Sequence, residues 1–222
     1  MYGTQISVIS ATTRPEGMAL VHKALSEQDM KFEHIIVSPL GGEPGCVWTL
    51  NREMNRAIAC AKGDLIISWQ DYTYAKPNTL RRFWDFYTAN PHSIVSAVGN
   101  KYKLDDWKDV TWTDPRIDPT NENQECPFHY IELNLAAIPK QAFYDVGGYD
   151  ERLDELGYGM DGYSVMDRLD MHGGYKFILS DIRSYSLEHD RPKAWHELNL
   201  IGARYNERRK HYIENHKLPY LQ

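Results

Sequence analysis

Cysteine is scarce in this sequence, at 3 of 222 residues. Cys46, Cys60 and Cys126 lie far apart and form no Cys-x-x-Cys pair, whereas disulfide frameworks and zinc knuckles usually show paired or closely spaced cysteines. We therefore expect reduced thiols, without a disulfide framework or a zinc knuckle. This pattern is typical of a cytoplasmic protein, and we predict that location.

Positive charge is also in deficit, because 25 lysines and arginines face 31 aspartates and glutamates, for a net charge of -6. Proteins that hold nucleic acids mainly through phosphates carry an excess of positive charge. The composition therefore disfavours a nucleic-acid partner, although a local basic patch stays compatible with it. The basic run RRKH (208–211) is too short to change that conclusion.

Long apolar runs are missing as well. A helix that spans a bilayer needs roughly 18 apolar residues in succession, and no stretch approaches that length. The first residues, MYGTQISVIS, lead directly into a strand-like run and have neither the basic nor the apolar segment of a secretory signal. We therefore expect no transmembrane segment and no signal peptide.

The sequence does contain an alternation of strand-like and helical patterns. Strand-like runs are ISVIS (6–10), HIIVS (34–38), LIISW (65–69) and SIVSAV (93–98). Helical patterns are GMALVHKALSEQ (17–28), LNREMNRAIACA (50–61) and NTLRRFWDFYTAN (78–90). This alternation predicts one α/β domain over residues 1–222, with a doubly wound, mostly parallel sheet flanked by helices.

The alternation breaks after Gly99, where residues 100–127 are polar, contain proline and show no periodicity. A connection of that length is a functional loop or is partly disordered. Trp107 and Trp112 within it would either close over a ligand or anchor the loop to the body. Later patterns predict a strand (129–139), a short helix (140–148), a strand (176–179) and a polar helix from about residue 195 to 215.

Residues that follow the first strands are candidates for a binding site, because ligands of doubly wound sheets gather beyond the carboxyl ends of the strands. Arg14, in ATTRPEG, can pair with a diphosphate; otherwise it is a solvated arginine at a helix start. Asp71 follows the apolar run LIISW, where a carboxylate can hold a divalent cation against a diphosphate. Its alternative role is an Asx turn.

The helical pattern LNREMNRA offers a second group of polar residues. Asn51 and Asn55 share one face, and Arg52 and Arg56 share another. One face could donate amide hydrogen bonds and the other positive charge to a nucleotide or a sugar. A hydrated surface helix is the alternative.

The stretch GYGMDGYSVMDRL (157–169) places glycines and an aspartate just before an amphipathic helix. Gly157 and Gly159 let the backbone approach a ligand closely, and Asp161 stands at or near the helix N-cap. Capping alone would explain the aspartate. It would explain neither the glycines nor Tyr158 between them.

The segment SLEHDRPK (186–193) follows the last strand-like run. His189 can add a metal nitrogen, and Arg191 and Lys193 can add phosphate contacts. A lone histidine is otherwise a satisfied surface or core residue.

Several stretches, in order along nearly the whole chain, resemble the GT-A glycosyltransferases, chiefly family 2. They are ISVISATTRPEG, NRAIACAKGDLIISWQD and FYDVGGYDERL. GGYDERLDELGYGMDGYSVMDRL is similar to the acceptor and base region of the β-1,4-galactosyltransferases, usually a GWGxED run before a helix that ends in Arg-Leu. The segments LNR and HDRPK are likewise similar to nucleotide-contacting and metal-histidine segments of that group.

The resemblance implies a role for each candidate. Asp161 would be the general base that takes the proton of the acceptor hydroxyl. Donor contacts would come from Thr12, Arg14, Asn51, Arg52, Asn55, Gln70 and Asp71. Acceptor contacts would come from Tyr158, Gly159 and Met160, and phosphate contacts from Arg191 and Lys193. A divalent cation, Mn²⁺ or Mg²⁺, would be held by Asp71 and His189.

The chain departs from these families at three places. The metal motif, usually Asp-x-Asp, reads Gln-Asp-Tyr over residues 70–72 and leaves one acid. Gly162 and Tyr163 replace the acids that would follow Asp161. Ser38 and Pro39 stand where an acidic pair often holds the nucleotide base.

The resulting hypothesis is an inverting glycosyltransferase that moves a sugar from a nucleoside-diphosphate sugar, with UDP favoured, to a hydroxyl of a glycan, lipid-linked or small-molecule acceptor. The expected division is a nucleotide-sugar-binding half (1–99), a long loop (100–128), an acceptor and catalytic half (129–194) and a C-terminal helix (195–222). Two alternatives stay open: a non-catalytic nucleotide-sugar or glycan-binding module, and a transferase that modifies a nucleic-acid base.

Overall fold

The computed structural model describes residues 5–38, 49–156, 160–189 and 198–222. Its strands are β1 (Ile6–Ala11), β2 (Glu33–Val37), β3 (Leu65–Trp69), β4 (Thr73–Ala75), β5 (Ser93–Tyr102), β6 (Val110–Trp112), β7 (Gln124–Glu125), β8 (Leu135–Pro139) and β9 (Lys176–Leu187). Its helices are α1 (Met18–Ser26), α2 (Leu50–Cys60), α3 (Thr79–Ala89), α4 (Lys140–Asp145), α5 (Asp161–His172) and α6 (Leu198–Glu214). Short 3-10 helices cover Pro15–Gly17, Phe128–Tyr130 and Glu151–Leu156.

The strands of the described residues form one mixed sheet in the order β2-β1-β3-β8-β5-β9-β4, with β6 beside β5 and β7 beside β9. The strands β1, β2, β3, β5 and β9 run in one direction, and β8 lies antiparallel between β3 and β5. The prediction of an α/β fold with a mostly parallel sheet flanked by helices is therefore confirmed.

Helices cover both faces of the sheet. Successive side chains of a strand point to opposite faces, so those of one buried strand contact helices on both. On β3, Ile66 packs in one core cluster with residues of α2, α4 and α5. Its neighbours Leu65 and Ile67 pack in a second cluster with residues of α1 and α3. This two-sided burial explains why LIISW is apolar on both faces, apart from the small residue Ser68.

β8 is the main departure from the predicted parallel core. The strand expected over residues 129–139 is shorter, and residues 128–130 form a 3-10 helix instead. Parallel neighbours need a crossover connection, usually a helix. No α-helix lies between β5 and β8 along this described part of the chain, so the strand returns antiparallel to β5.

The long polar segment after β5 is folded onto the sheet. Asp114 is buried and accepts hydrogen bonds from the backbone N–H of Gly99 at 3.1 Å and from Arg116 Nη2 at 2.6 Å. Burial alone would raise the pKa of Asp114, but the hydrogen bonds and the charge of Arg116 outweigh it and lower that pKa. This arrangement argues against partial disorder at the centre of the segment.

The two tryptophans of this segment have different surroundings. The ring of Trp107 stacks on Tyr74 and packs against Tyr102 and Tyr185, which fits the anchoring alternative. Trp112 is exposed, with the ammonium group of Lys101 over its ring. A lid role for either residue stays a prediction.

α6 is attached to the rest of the fold by two fully buried carboxylates. Asp150 accepts hydrogen bonds from Arg208 at 2.7 Å and from the Tyr212 hydroxyl at 2.6 Å. Asp167, on α5, accepts from Tyr205 and Arg209, both at 2.7 Å. The described part of this helix starts at Leu198, and residues 195–197 of the predicted helix lie outside the described residues. None of the helices in the described ranges is both long and apolar enough to cross a membrane.

Candidate functional site

A cleft of about 200 Å³ opens beyond the carboxyl ends of β1 and β3. The segment after β1 contributes Thr12 and Arg14, and the segment after β3 contributes Gln70 and Asp71. The first turn of α5 contributes Asp161. The structure thus brings these five predicted site residues to one cavity, as the rule for doubly wound sheets requires.

A hydrogen-bonded unit in the lining of this cleft consists of Arg14, Thr12 and Asp71. Arg14 Nη2 lies 2.9 Å from Asp71 Oδ1 and 3.1 Å from Oδ2, and Nε lies 3.3 Å from Oδ2. The Thr12 hydroxyl donates to Asp71 Oδ2 at 2.7 Å and accepts from the Arg14 backbone N–H at 2.8 Å. The carboxylate of Asp71 is 2% exposed, so it is an ion-paired group inside the protein.

The guanidinium of Arg14 also meets two rings. Its Nη1 donates to Nδ1 of His189, and its Cζ atom lies 5.1 Å from the ring centre of Tyr72. Tyr72 adopts a left-handed backbone conformation with φ of 57°, and its hydroxyl donates to Glu16 at 2.7 Å. The Tyr72 ring packs so closely over Gly17 that a Cβ there would lie 2.5 Å from it. These contacts fix the orientation of the guanidinium.

The described residues do not fit a divalent cation between Asp71 and His189. Mn²⁺ and Mg²⁺ need carboxylate oxygens and imidazole lone pairs directed at the ion. In this structure both Asp71 oxygens and the His189 Nδ1 lone pair are directed at Arg14. Within the described ranges, no group of three histidine, cysteine, aspartate or glutamate side chains could hold a metal ion. A cation at this place stays a prediction of the resemblance.

Asp161 is the first residue of α5, and its carboxylate is partly exposed to the cleft. The preceding residue, Met160, has φ of 62°, which turns the chain sharply into the helix. The side-chain amide of Asn51 donates to Asp161 Oδ1 at 2.7 Å. Burial raises the pKa of the adjacent Tyr149, and the charge of Asp161 raises it further.

Asp154 connects this carboxylate to the start of α2. It accepts the backbone N–H of Asn51 at 2.9 Å and of Arg52 at 3.1 Å, and it also accepts the Asn51 side-chain amide at 2.9 Å. Free N–H groups at a helix start require such partners, and Thr49 at the N-cap makes no side-chain capping bond. Burial raises the pKa of Asp154, and these N–H donors offset only part of that shift.

The orientation of the Asn51 amide follows from its surroundings. Its NH₂ group faces two carboxylates, whereas the opposite orientation would set its oxygen against both of them. The oxygen Oδ1 is buried and has no hydrogen-bond partner among the described residues. We conclude that this side chain is held where it positions Asp161.

The other predicted donor residues of α2 lie away from the cleft lining. Asn55 is buried and bonds the backbone of Tyr149 in both directions, at 2.7 and 3.0 Å. The side chain of Arg52 is half exposed and lies 3.6 Å from Glu151. Neither residue lines the cleft, and Asn51 does not line it either, so their donor contacts stay predictions.

Some predicted contacts cannot be placed. Tyr158, Gly159, Arg191 and Lys193 lie outside the described residues. Met160 is described and adjoins the cleft through Asp161. Their roles toward acceptor and phosphate stay predictions.

Sequence reasoning missed Asp154 and Tyr149. Asp154 acts on a helix start more than 100 residues earlier, so local capping patterns could not reveal it. Tyr149 lines the cleft and lies within GGYDERL, a stretch that the resemblance covers without assigning the tyrosine a role. The one available signal was the density of acids between residues 150 and 155.

Gly162 explains one departure from the expected acidic run. A Cβ at this position would lie 2.8 Å from Cδ1 and 2.9 Å from Cγ of Leu133. Leu133 lines the same cleft. An acid after Asp161 would therefore need Leu133 to move, and the glycine leaves Asp161 as the carboxylate at this edge.

Comparison with protein-family models and with curated proteins finds no match. Among solved structures, a crystal structure of S. aureus TarS is similar, with a TM-score of 0.61 and 13% identity over 90% of this chain and 39% of that chain. Crystal structures of S. aureus TarS 1–349, alone and in complex with UDP, give TM-scores of 0.63 and 0.58 at 12% and 13% identity. Both cover 90% of this chain and 65% of theirs.

At such low identity the similarity shows the fold alone. The chain has the GT-A type of α/β fold that the resemblance implied. It spans less than two thirds of the TarS chains that it matches.

Proposed function

We propose that the chain is an inverting glycosyltransferase that moves a sugar from a nucleoside-diphosphate sugar, with UDP favoured, to an acceptor hydroxyl. The observation that carries this proposal is the cleft itself, whose lining includes both Arg14, with its guanidinium fixed by Asp71, and Asp161. Transfer needs positive charge for the departing diphosphate and a base for the acceptor proton. The lining of the cleft supplies both, the positive charge from Arg14 and the base from Asp161.

In this mechanism the donor diphosphate lies on the Arg14 side and the acceptor hydroxyl lies on the Asp161 side. Asp161 takes the hydroxyl proton while the acceptor oxygen forms a bond to the anomeric carbon. The bond from that carbon to the diphosphate oxygen breaks, and its electron pair leaves with the nucleoside diphosphate. Attack from the side opposite the leaving group inverts the anomeric centre.

The TarS structure in complex with UDP supports a uridine nucleotide as the donor. We further propose that the chain belongs to family 2 and that its acceptor region is similar to that of the β-1,4-galactosyltransferases. Both proposals rest on the sequence stretches that resemble these families. We also propose that Tyr158, Gly159 and Met160 contact the acceptor. Arg191 and Lys193 would contact the phosphates of the donor. The acceptor is a glycan, a lipid-linked or a small molecule.

The experiment that tests the function is a panel of UDP-sugars, measured by thermal shift and by release of UDP. A ligand that binds only the folded chain raises the melting temperature, and transfer or slow hydrolysis releases UDP. We expect at least one UDP-sugar to do both. Binding without UDP release, in the presence of glycan and small-molecule acceptors, would instead identify a non-catalytic binding module.

Replacing Asn51 by alanine tests whether this residue positions the base. We expect turnover to fall roughly 10- to 100-fold, because a misplaced reacting group costs rate on that order. The Kd for UDP, measured by calorimetry, should stay unchanged, since Asn51 is buried and does not line the cleft.

Asn55→Ala is the matched control on the same helix. It removes a buried amide that contacts Tyr149 and Glu151, so it should lower stability with little loss of turnover. If Asn51→Ala weakens UDP binding at unchanged turnover, Asn51 contacts the donor and the positioning role is wrong.

A further inference from the structure

The Arg14 guanidinium occupies the position between the two side chains that were expected to hold a cation. Asp71 contacts it through two oxygens, at 2.9 and 3.1 Å, and His189 contacts it through Nδ1. The Thr12 hydroxyl also donates to Oδ2 of this carboxylate, at 2.7 Å. Three side chains therefore fix one positive charge in the lining of the cleft.

The burial of Asp71 makes this pair hard to exchange for a metal ion. The Asp71 carboxylate is 2% exposed and the Arg14 side chain is 23% exposed. A cation that took the carboxylate would leave a partly buried guanidinium without its counter-ion. Removing one member of a buried pair is strongly unfavourable because the remaining charge stays desolvated.

The chemistry of arginine suits the task of a diphosphate clamp. Its guanidinium is protonated at all physiological pH values and offers several N–H donors in one plane. Such planar donors match phosphate oxygens well. Asp71 fixes the plane through Nε and Nη2, and the Arg14 side chain lines the cleft.

We infer that Arg14 takes the place of the divalent cation, so that the nucleoside diphosphate binds and departs without a metal ion. This inference rests on the proposed function. In the transfer step the electron pair of the broken bond between the anomeric carbon and oxygen stays on the diphosphate. The guanidinium stabilises that charge, and Asp161 holds the acceptor proton.

The first test is calorimetric titration with UDP, in EDTA and in millimolar Mn²⁺ or Mg²⁺. The wild type should bind UDP with the same Kd in EDTA, in Mn²⁺ and in Mg²⁺. Arg14→Ala in EDTA should bind roughly 10- to 100-fold more weakly, the factor expected for losing a charged hydrogen bond. Arg81→Ala, which removes a surface arginine paired with Asp29, should bind UDP as the wild type does.

The outcomes separate this inference from the proposed function. UDP binding that disappears in EDTA and returns with Mn²⁺ overturns the inference and leaves the transferase proposal standing. No binding of UDP or any other nucleoside diphosphate, with or without metal, overturns both. Circular dichroism of each variant establishes that it is folded, and Arg14→Lys, which keeps the charge, should recover part of the affinity.

A second readout uses Mn²⁺ alone, followed by its electron paramagnetic resonance signal. The wild type should leave the signal of free Mn²⁺ unchanged, because Asp71 is already paired. Arg14→Ala should bind Mn²⁺, and the double variant Arg14→Ala with Asp71→Asn should lose that binding again. Mn²⁺ binding by the wild type that Asp71→Asn abolishes would show that a cation displaces the arginine, contrary to the inference.

Discussion

Asp161→Asn will lower turnover by about 10² to 10⁴-fold, which is the usual contribution of a well-placed general base. The amide has nearly the same shape but cannot accept the proton of the acceptor hydroxyl. Its oxygen can still accept the hydrogen bond that Asn51 donates at 2.7 Å. We therefore expect the fold, the melting temperature and the Kd for UDP to change little.

Steady-state release of UDP in the presence of acceptor measures this effect, and Asp170→Asn is the control. Asp170 lies exposed on the same helix, away from the cleft, so its substitution should leave turnover unchanged. Full activity of Asp161→Asn would mean that another group takes the proton. A large drop in melting temperature would mean that Asp161 is mainly structural.

Asp150→Ala will destabilise the protein by about 3–5 kcal/mol, the cost of breaking a buried ion pair at one partner. Asp150 is fully buried and accepts hydrogen bonds from Arg208, Tyr212 and Tyr220. The side chain of Arg208 is only 16% exposed. Without the carboxylate its charge would be left desolvated, and the Tyr212 hydroxyl would lose its 2.6 Å acceptor.

Urea denaturation followed by circular dichroism gives this free energy of unfolding. Asp170→Asn again serves as the control, since an exposed carboxylate should change stability by less than about 0.5 kcal/mol. A change below about 1 kcal/mol for Asp150→Ala would show that α6 is attached to the body by other contacts. Turnover should fall in parallel with the folded fraction, because Asp150 directly precedes the 3-10 helix that carries Asp154.

The local parts of the fold could be predicted from sequence. The strands β1, β2 and β3 and the start of β5 lie within one or two residues of the predicted runs, because each run carries its own apolar pattern. The antiparallel direction of β8 was not predictable in this way. The direction of β8 depends on the long connection from β5, which contains no crossover helix. A pattern of apolar residues within one short segment carries no information about such a connection.

The candidate site likewise has some features that could be predicted from sequence and others that could not. The positions of Arg14 and Asp71 follow from the rule about strand ends, and the structure brings both to one cleft. That they pair with each other was not predicted, because residues 57 positions apart leave no joint signal in one sequence. The role of Asp154 at the start of α2 was hidden for the same reason.

One side-chain amide bridges the two predicted halves of the chain. Asn51 stands 110 residues before Asp161 and 103 residues before Asp154, and it donates to both. In the proposed mechanism, a polypeptide that ended near residue 99 would keep Arg14 but lack Asp161, and the remainder of the chain would have Asp161 without Arg14. The proposed transfer would therefore begin only after both halves have folded together, so a partly folded chain would not hydrolyse the sugar donor.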